Sequence, residues 1–295
     1  MTKPSTAEGY SNQVTENCER VLVTLLRGLG PWRDSIFLVG GLTPRYLIER
    51  KPPEIPAHAG TGDVDVVIQL QMLNETEAYH SLEDNFKKLG LTRGTNTKGQ
   101  SVSWRWEIRT GGTKVAIELL ADDPDKSGGK VVELPTEGSV SAMNIPHSAI
   151  VFDHHKTRKI SAELLGDDGV ATVDLHYADL VAFVCLKAYA FNQRAERKDA
   201  HDLVYCIEHY DGSVDAAADE FVKALGGKHK EVIAESLTLL AQHFVDDERT
   251  EGFTKDGAVA VAKFELGEDT DRDTRILRQR EVSDLISTLL KKVCA

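Results

Sequence analysis

Apolar residues along this chain change their period several times, and the changes mark its expected elements. From Val14 to Leu29 they recur at helical spacing (Val21, Leu22, Leu25, Leu26, Leu29), and Gly30-Pro31 ends the run. Ile36-Phe37-Leu38-Val39 is a short unbroken apolar stretch, the mark of a buried strand, and Gly40-Gly41 follows at once. Thr43-Pro44 then offers an N-cap and a first-turn proline, which predicts a short helix from Thr43 to Arg50. The Pro- and Gly-rich stretch from Lys51 to Gly62 predicts a loop. Val64 to Leu70 predicts the next strand, and Thr76 to Leu89 an amphipathic helix closed by Gly90.

A β-rich stretch comes next. Ser101 to Ile108 alternates, with Trp104 and Trp106 on one face, and Thr113 to Leu120 pairs with it as a hairpin across Gly111-Gly112. Ser139 to His155 and Gly169 to Leu175 predict shorter strands with a turn or short helix between them. Beyond Asp174 the period is helical throughout: Tyr177–Gln193, Lys198–Tyr210, Val214–Leu225, Lys230–Val245 and Asp273–Val293. The expected organisation is an α/β domain over residues 1–175 followed by a helical domain over residues 176–295, with no internal repeat.

Composition narrows the class. A chain of 295 residues can bury two cores, and 41% hydrophobic with 28% charged residues is the balance of a soluble globular protein. No apolar run has the length of a membrane span, and the N-terminal MTKPSTAEGYSNQ has no apolar signal core. Cys18, Cys185, Cys206 and Cys294 are scattered, and read as thiols kept reduced in a cytoplasmic protein. The net charge of −12 argues against a protein that coats nucleic acid; it leaves room for a local basic groove and suits a site that gathers divalent cations.

The candidate chemistry lies at His58-Ala-Gly-Thr-Gly-Asp-Val-Asp-Val-Val-Ile. Asp63 and Asp65 are two residues apart at the start of a predicted strand, so both point to one face. Two carboxylates held that close repel, and a hard divalent cation with a preference for oxygen removes the cost. A D-x-D taken alone is more often a solvated loop-to-strand junction. Gly40-Gly41, between a strand and a helix, is a turn where phosphate oxygens can approach backbone N–H groups; alone it is simply a tight connection. Glu118 is an acid in the otherwise apolar strand Lys114–Leu120, sharing a face with Ala116 and Leu120 while Val115, Ile117 and Leu119 take the other. On spacing alone it is a glutamate on a solvated face. Beside the aspartates it would complete a metal-binding triad and accept a proton from a hydroxyl.

Together, Val39-Gly40-Gly41, Gly62-Asp63-Val64-Asp65-Val66 and Ile117-Glu118-Leu119 resemble the nucleotidyltransferase superfamily of the DNA polymerase β type. In the helical half, Leu186-Lys187-Ala188-Tyr189-Ala190, Arg194 and Arg197-Lys198-Asp199-Ala200-His201-Asp202-Leu203 are similar to the lysine and Lys-Asp motifs of its AbiEii-type toxin branch, found in abortive-infection and toxin–antitoxin pairs. The likeness runs from about residue 36 to about residue 210.

The resemblance implies an α+β nucleotidyltransferase core with a mixed sheet followed by a helical bundle. It implies Mg²⁺ or Mn²⁺ bound by Asp63, Asp65 and Glu118, and a phosphate turn at Gly40 and Gly41. Lys187 would contact the nucleotide phosphates, and Asp199, with Asp202, would position Lys187 or the acceptor. It further implies transfer of a nucleoside monophosphate from NTP to an acceptor hydroxyl, a tRNA 3′ end or another RNA, by a toxin with a cognate antitoxin protein. Transfer to a small molecule, or a silent nucleotide-binding protein on the same fold, are the alternatives. Two features depart from the pattern: Glu118 stands where many relatives have Asp, and the loop from Lys51 to Gly62 is long.

Other positions read blandly. Arg45 belongs on an exposed helix face, and Trp104 and Trp106 on a packed strand face. The run His154-His155-Lys156-Thr157-Arg158-Lys159 is a charged turn by default, or, with Arg194, Arg197 and Lys198, a path for RNA phosphates. The histidines have no partners at zinc spacing.

Overall fold

The structure, a computed structural model, describes residues 4–69, 82–96, 98–134 and 139–294. The chain divides into two compact units: a sheet unit of residues 11–43 and 60–178, and a helical unit of residues 1–10, 44–59 and 179–295.

The sheet unit opens with helix α1 (Asn12–Gly28), whose Val21, Leu22, Leu25 and Leu26 are buried at 1% exposure or less. Strand β1 (Ile36–Val39) follows, then a tight turn over Gly40–Leu42. Helix α2 (Pro44–Leu47) comes next and belongs to the helical unit, and the chain returns as β2 (Asp63–Ile68). Helix α3 (Leu82–Lys88) and strands β3 (Thr92–Thr95), β4 (Ser101–Thr110), β5 (Thr113–Ala121), β6 (Val131–Glu133) and β7 (Ser141–Asn144) continue it. A short helix α4 (Ile150–Asp153) leads to β8 (His155–Glu163) and β9 (Val170–Ala178).

These strands form one mixed sheet in the order β3-β4-β5-β2-β1-β9-β8, with β7 joining β5 and β6 joining β7. β2 runs parallel to β5 and antiparallel to β1, while β1 runs parallel to β9. The register sorts residues by face. Val64 lies opposite Ile117, Val66 opposite Leu119, and Trp106 opposite Ile117. All are at most 1% exposed, and Phe86 of α3 meets the Trp106 ring edge-on at 4.9 Å between centroids. The charged residues of β2, β4 and β5 therefore share the other face.

The helical unit is built from α5 (Leu180–Arg194), α6 (Arg197–His209), α7 (Val214–Leu225), α8 (Lys230–Phe244), α9 (Asp256–Leu266) and α10 (Arg272–Val293). α5 starts at an N-cap where Asp179 accepts from the Ala182 N–H at 2.9 Å, a cap worth about 1 kcal/mol. Every residue from Leu180 to Cys185 is buried, so α5 is the central helix, with α6, α7 and α8 against it.

Several elements differ from those the sequence predicts. The segment from Ser139 to His155 is not one strand but β7 and α4, and the turn or short helix expected after it is β8, a strand. β8 has Ile160 as its buried position and, Ala162 apart, charged or polar residues elsewhere, as an edge strand tolerates, so it carries no apolar period. α9 was not anticipated because its Ala-Val-Ala-Val run has apolar residues all round. Thr43 is not an N-cap: its backbone is helical (φ −57°, ψ −42°), its N–H donates to the Gly40 carbonyl, and its buried hydroxyl has no hydrogen-bond partner. The first part of the helix predicted from Thr76 lies outside the described residues.

Candidate functional site: an acid face and a buried ion network

The sheet register places the D-x-D pair and the third acid on one face of the sheet. Asp65 lies directly opposite Glu118 on the parallel neighbour, and Asp63 opposite Ala116. Paired residues of adjacent strands point the same way, so the three carboxylates share the polar face. On its other side Asp65 pairs with Val39, the residue before the glycine turn. The Asp65 carboxylate reaches that turn: a Cβ built on Gly40 would sit 2.0 Å from Asp65 Oδ2, and Gly40 has φ +72°. Glycine is required here twice over, for the backbone angle and for the carboxylate. Gly41, next to it, is buried.

The start of β2 is clamped by its surroundings. Thr61 Oγ1 donates to Asp63 Oδ1 at 2.6 Å, and the Thr61 N–H donates to Thr15 Oγ1 of α1 at 3.1 Å. Cys18 Sγ approaches the Thr61 carbonyl at 3.7 Å. Burial, then the negative charges of Asp63 and Asp65, push its thiol far above the ordinary range, so Cys18 stays protonated beneath the pair.

Arg105 is a member of this face that sequence reasoning passed over. It lies opposite Glu118 on β4, makes an ion pair from Nη1 to Glu118 Oε1, and reaches Glu107 Oε1 from Nε at 3.3 Å. Lys114 holds the other oxygen of Glu107 at 2.5 Å. Its signal was available: between two tryptophans on one face of a strand, Arg105 had to take the opposite one, which is the face of Glu118.

The helical unit gathers the second group of predicted residues. Lys187 of α5 donates to Asp199 Oδ1 at 2.9 Å and to Asp202 Oδ2 at 2.6 Å, both on α6. Arg194 grips both oxygens of Asp199 at 2.7 and 2.9 Å, and Lys198 both oxygens of Asp202 at 2.6 and 2.9 Å. The Lys187 side chain is 11% exposed and the Asp202 side chain 0%. Burial pulls Lys187 toward neutrality, but the charges of Asp199 and Asp202 outweigh it and hold the ammonium firmly protonated. Burial likewise raises Asp202, and Lys187, Lys198 and the His58 hydrogen bond overcome it, leaving the carboxyl well below its usual range.

His58, from the loop before β2, completes this network. Its Nε2 lies 3.0 Å from Asp202 Oδ1, and since a carboxylate only accepts, Nε2 carries the proton. Its ring stacks on His201 at 5.4 Å and meets Tyr205 edge-on at 4.9 Å, while the Tyr205 hydroxyl donates to the Pro56 carbonyl at 2.9 Å. Burial pulls the His58 pKa down to about 4. His201 Nδ1 faces Glu265 Oε1 at 3.0 Å, and its buried Nε2 has no hydrogen-bond partner. His58, His201 and Asp202 offer donor atoms within 4.8 Å of one another. The lone pairs of Asp202 are already taken by Lys187, Lys198 and His58, and a metal there would sit against two ammonium groups. The group is an ion-pair network rather than a cation cradle.

Gly40, Gly41, Asp63, Asp65 and Glu118 thus belong to the sheet unit, and Lys187, Asp199 and Asp202 to the helical unit. Of the basic positions, Lys156, Arg158 and Lys159 are exposed on β8, while Arg197 pairs with Glu268. Among the described residues no helix is long and apolar enough to cross a membrane. Cys18, Cys185 and Cys206 are buried free thiols, and Cys294 is an exposed one. Neither family models, curated proteins nor solved structures give a match to this chain.

The acid face offers the donor type a hard divalent ion prefers, although among the described residues it is His58, His201 and Asp202, not these three acids, whose donor atoms lie within 4.8 Å of one another. Its ligand atoms are all carboxylate oxygens, and a guanidinium already stands against one of them as a cation. The glycine at position 40 leaves room for the Asp65 carboxylate at the turn.

Proposed function

We propose that this chain is a metal-dependent nucleotidyltransferase that moves a nucleoside monophosphate from an NTP to an acceptor hydroxyl and releases pyrophosphate. The observation that carries this reading is the direct register of Asp65 with Glu118 on neighbouring strands, with the Asp65 carboxylate against the Gly40 turn. Asp63, Asp65 and Glu118 would hold Mg²⁺ or Mn²⁺, which when bound polarises the transferred phosphate and favours the attacking oxyanion. Glu118 would accept the acceptor's proton. The Gly40-Gly41 turn lets phosphate oxygens approach the backbone. Lys187 is the cation that the resemblance assigns to the phosphates, and Asp199 and Asp202 keep it charged.

By the same resemblance the acceptor is a tRNA 3′ end and the protein the toxin of a toxin–antitoxin pair, active in the cytoplasm. The exposed Lys156 and Arg158 share one face of β8 and offer cations for RNA phosphates, whereas Lys159 lies on the other face and pairs with Asp174 at 3.1 Å. The net charge of −12 favours a second reading, in which the acceptor is a small hydroxylated metabolite.

Incubation with each labelled NTP, Mg²⁺ and either total tRNA or a metabolite pool tests both. Pyrophosphate release with label on tRNA supports the first acceptor, and label on a small product the second. Asp65→Asn keeps the side-chain volume and removes a metal-binding charge. It should lower turnover roughly a thousandfold, the kinetic equivalent of several kcal/mol, with an unchanged circular dichroism spectrum. Turnover equal to wild type in Asp65→Asn, or no pyrophosphate with any NTP, would count against nucleotidyl transfer.

A further inference from the structure

We propose that Arg105 is an exchangeable counter-cation of the acid face: it holds Glu118 until a metal ion takes that carboxylate, and then turns to the phosphates of the nucleotide. The inference rests on the nucleotidyl-transfer reading and adds a substrate-binding residue to it.

Three observations carry it. Glu118 and Asp65 stand side by side in register, an arrangement whose repulsion favours a cation, and Arg105 supplies one through its ion pair with Glu118. A divalent ion held by Glu118 would claim the oxygen that Arg105 holds, so the two cations compete.

Second, Arg105 can leave without orphaning its other partner. Its Nε contact with Glu107 is the longer one at 3.3 Å, and Lys114 keeps Glu107 paired at 2.5 Å.

Third, the stem of Arg105 is closely packed while the side chain keeps access to solvent. Gly94 of β3 packs so closely that a Cβ there would lie 2.8 Å from Arg105 Cγ and 3.0 Å from Glu107 Cγ. The Arg105 side chain is still 29% exposed. Its guanidinium carries the planar fork that matches phosphate oxygens.

The exchange couples the two ligands. Metal without nucleotide must displace Arg105 from Glu118 and leave it without its strongest partner. Nucleotide without metal must draw Arg105 off Glu118 and break their ion pair. Each ligand therefore eases the binding of the other.

The test measures Mn²⁺ binding to the full-length protein by loss of the free-ion electron paramagnetic resonance signal, with and without a non-hydrolysable NTP analogue. For Arg105→Gln the expected result is about tenfold tighter Mn²⁺ binding without nucleotide, about tenfold weaker analogue binding, and loss of the mutual enhancement, one pairwise contact being worth about a factor of ten. A merely structural arginine would weaken both ligands together. Arg105→Lys keeps the charge without the fork and should fall between wild type and Arg105→Gln, which preserves the comparison if the glutamine variant fails to fold. Mn²⁺ affinity that is unchanged or weaker in both variants overturns the exchange. Wild-type protein that binds no Mn²⁺, with Asp65→Asn indistinguishable from it, overturns the metal-dependent reading itself.

Discussion

At the scale of single residues, the acid face depends on what is missing at position 40. A side chain there would need a left-handed backbone at φ +72°, which costs an L-residue about 1–2 kcal/mol. It would also meet the Asp65 carboxylate at 2.0 Å, so the carboxylate must move. Gly40→Ala is therefore expected to lower the melting temperature by several degrees and to weaken Mn²⁺ binding, while leaving the secondary structure intact. Calorimetry and a Mn²⁺ titration measure the two effects. Unchanged values in both would mean that the turn and the aspartate do not share one space. The sequence made Gly40, Asp63, Asp65 and Glu118 legible because strand parity and turn chemistry are local rules. Arg105 was less so: parity assigned its face, but its pairing with Glu118 depends on a register that only the assembled sheet sets.

At the scale of elements, the loop between α2 and β2 is tied to α6 through the face that bears Asp202. His58 is the main tie, and it is held, largely out of solvent at 11% side-chain exposure, as a neutral ring facing Asp202, Lys198 and His201. Its folded pKa of about 4 lies below the ordinary value of 6.5. The unfolded chain therefore binds a proton between these values that the folded chain does not. Stability from this group is complete above pH 6.5 and declines as pH falls toward 4, by at most about 3 kcal/mol. His58→Gln keeps a hydrogen-bond donor for Asp202 and cannot titrate. Its melting temperature should fall less than that of wild type between pH 7.5 and pH 5, a difference that isolates His58 from His176 and His209, whose pKa values are also lowered by burial. Identical pH profiles would remove His58 from this account. Periodicity could not reveal the tie, because the Pro-rich loop from Lys51 to Gly62 has no period. The helices fared better, since α5 to α8 and α10 each present a recognisable apolar stripe or run.

At the scale of the whole molecule, the path of the chain matters more than the place where its composition changes. The sequence put a boundary near residue 175, where strand periods give way to helical ones. The compact units meet in the chain at Ala178 and Asp179, but the helical unit also owns residues 1–10 and 44–59. Those segments are invisible to a composition argument because their partners are far away in sequence. Tyr10 packs against Phe264 at 6.0 Å and faces Lys198 at 5.4 Å. Tyr46, Leu47, Ile48 and Ile55 are buried, and α2 lies against α6. Each such side chain contributes about 1.5–3 kcal/mol on burial, so losing them together removes an amount comparable to the full stability of a small domain. Residues 179–295 expressed alone should keep helical far-UV circular dichroism but lose near-UV signal and a sharp unfolding transition. Fusing residues 44–59 ahead of Asp179 through a flexible Gly/Ser linker should restore part of that cooperativity, since it returns His58, Tyr46 and Leu47 to the same chain. A fragment of 179–295 that unfolds as sharply as the full-length protein would show that the helical unit does not need its N-terminal pieces. The insertion before β2 would then be a surface addition rather than part of a core.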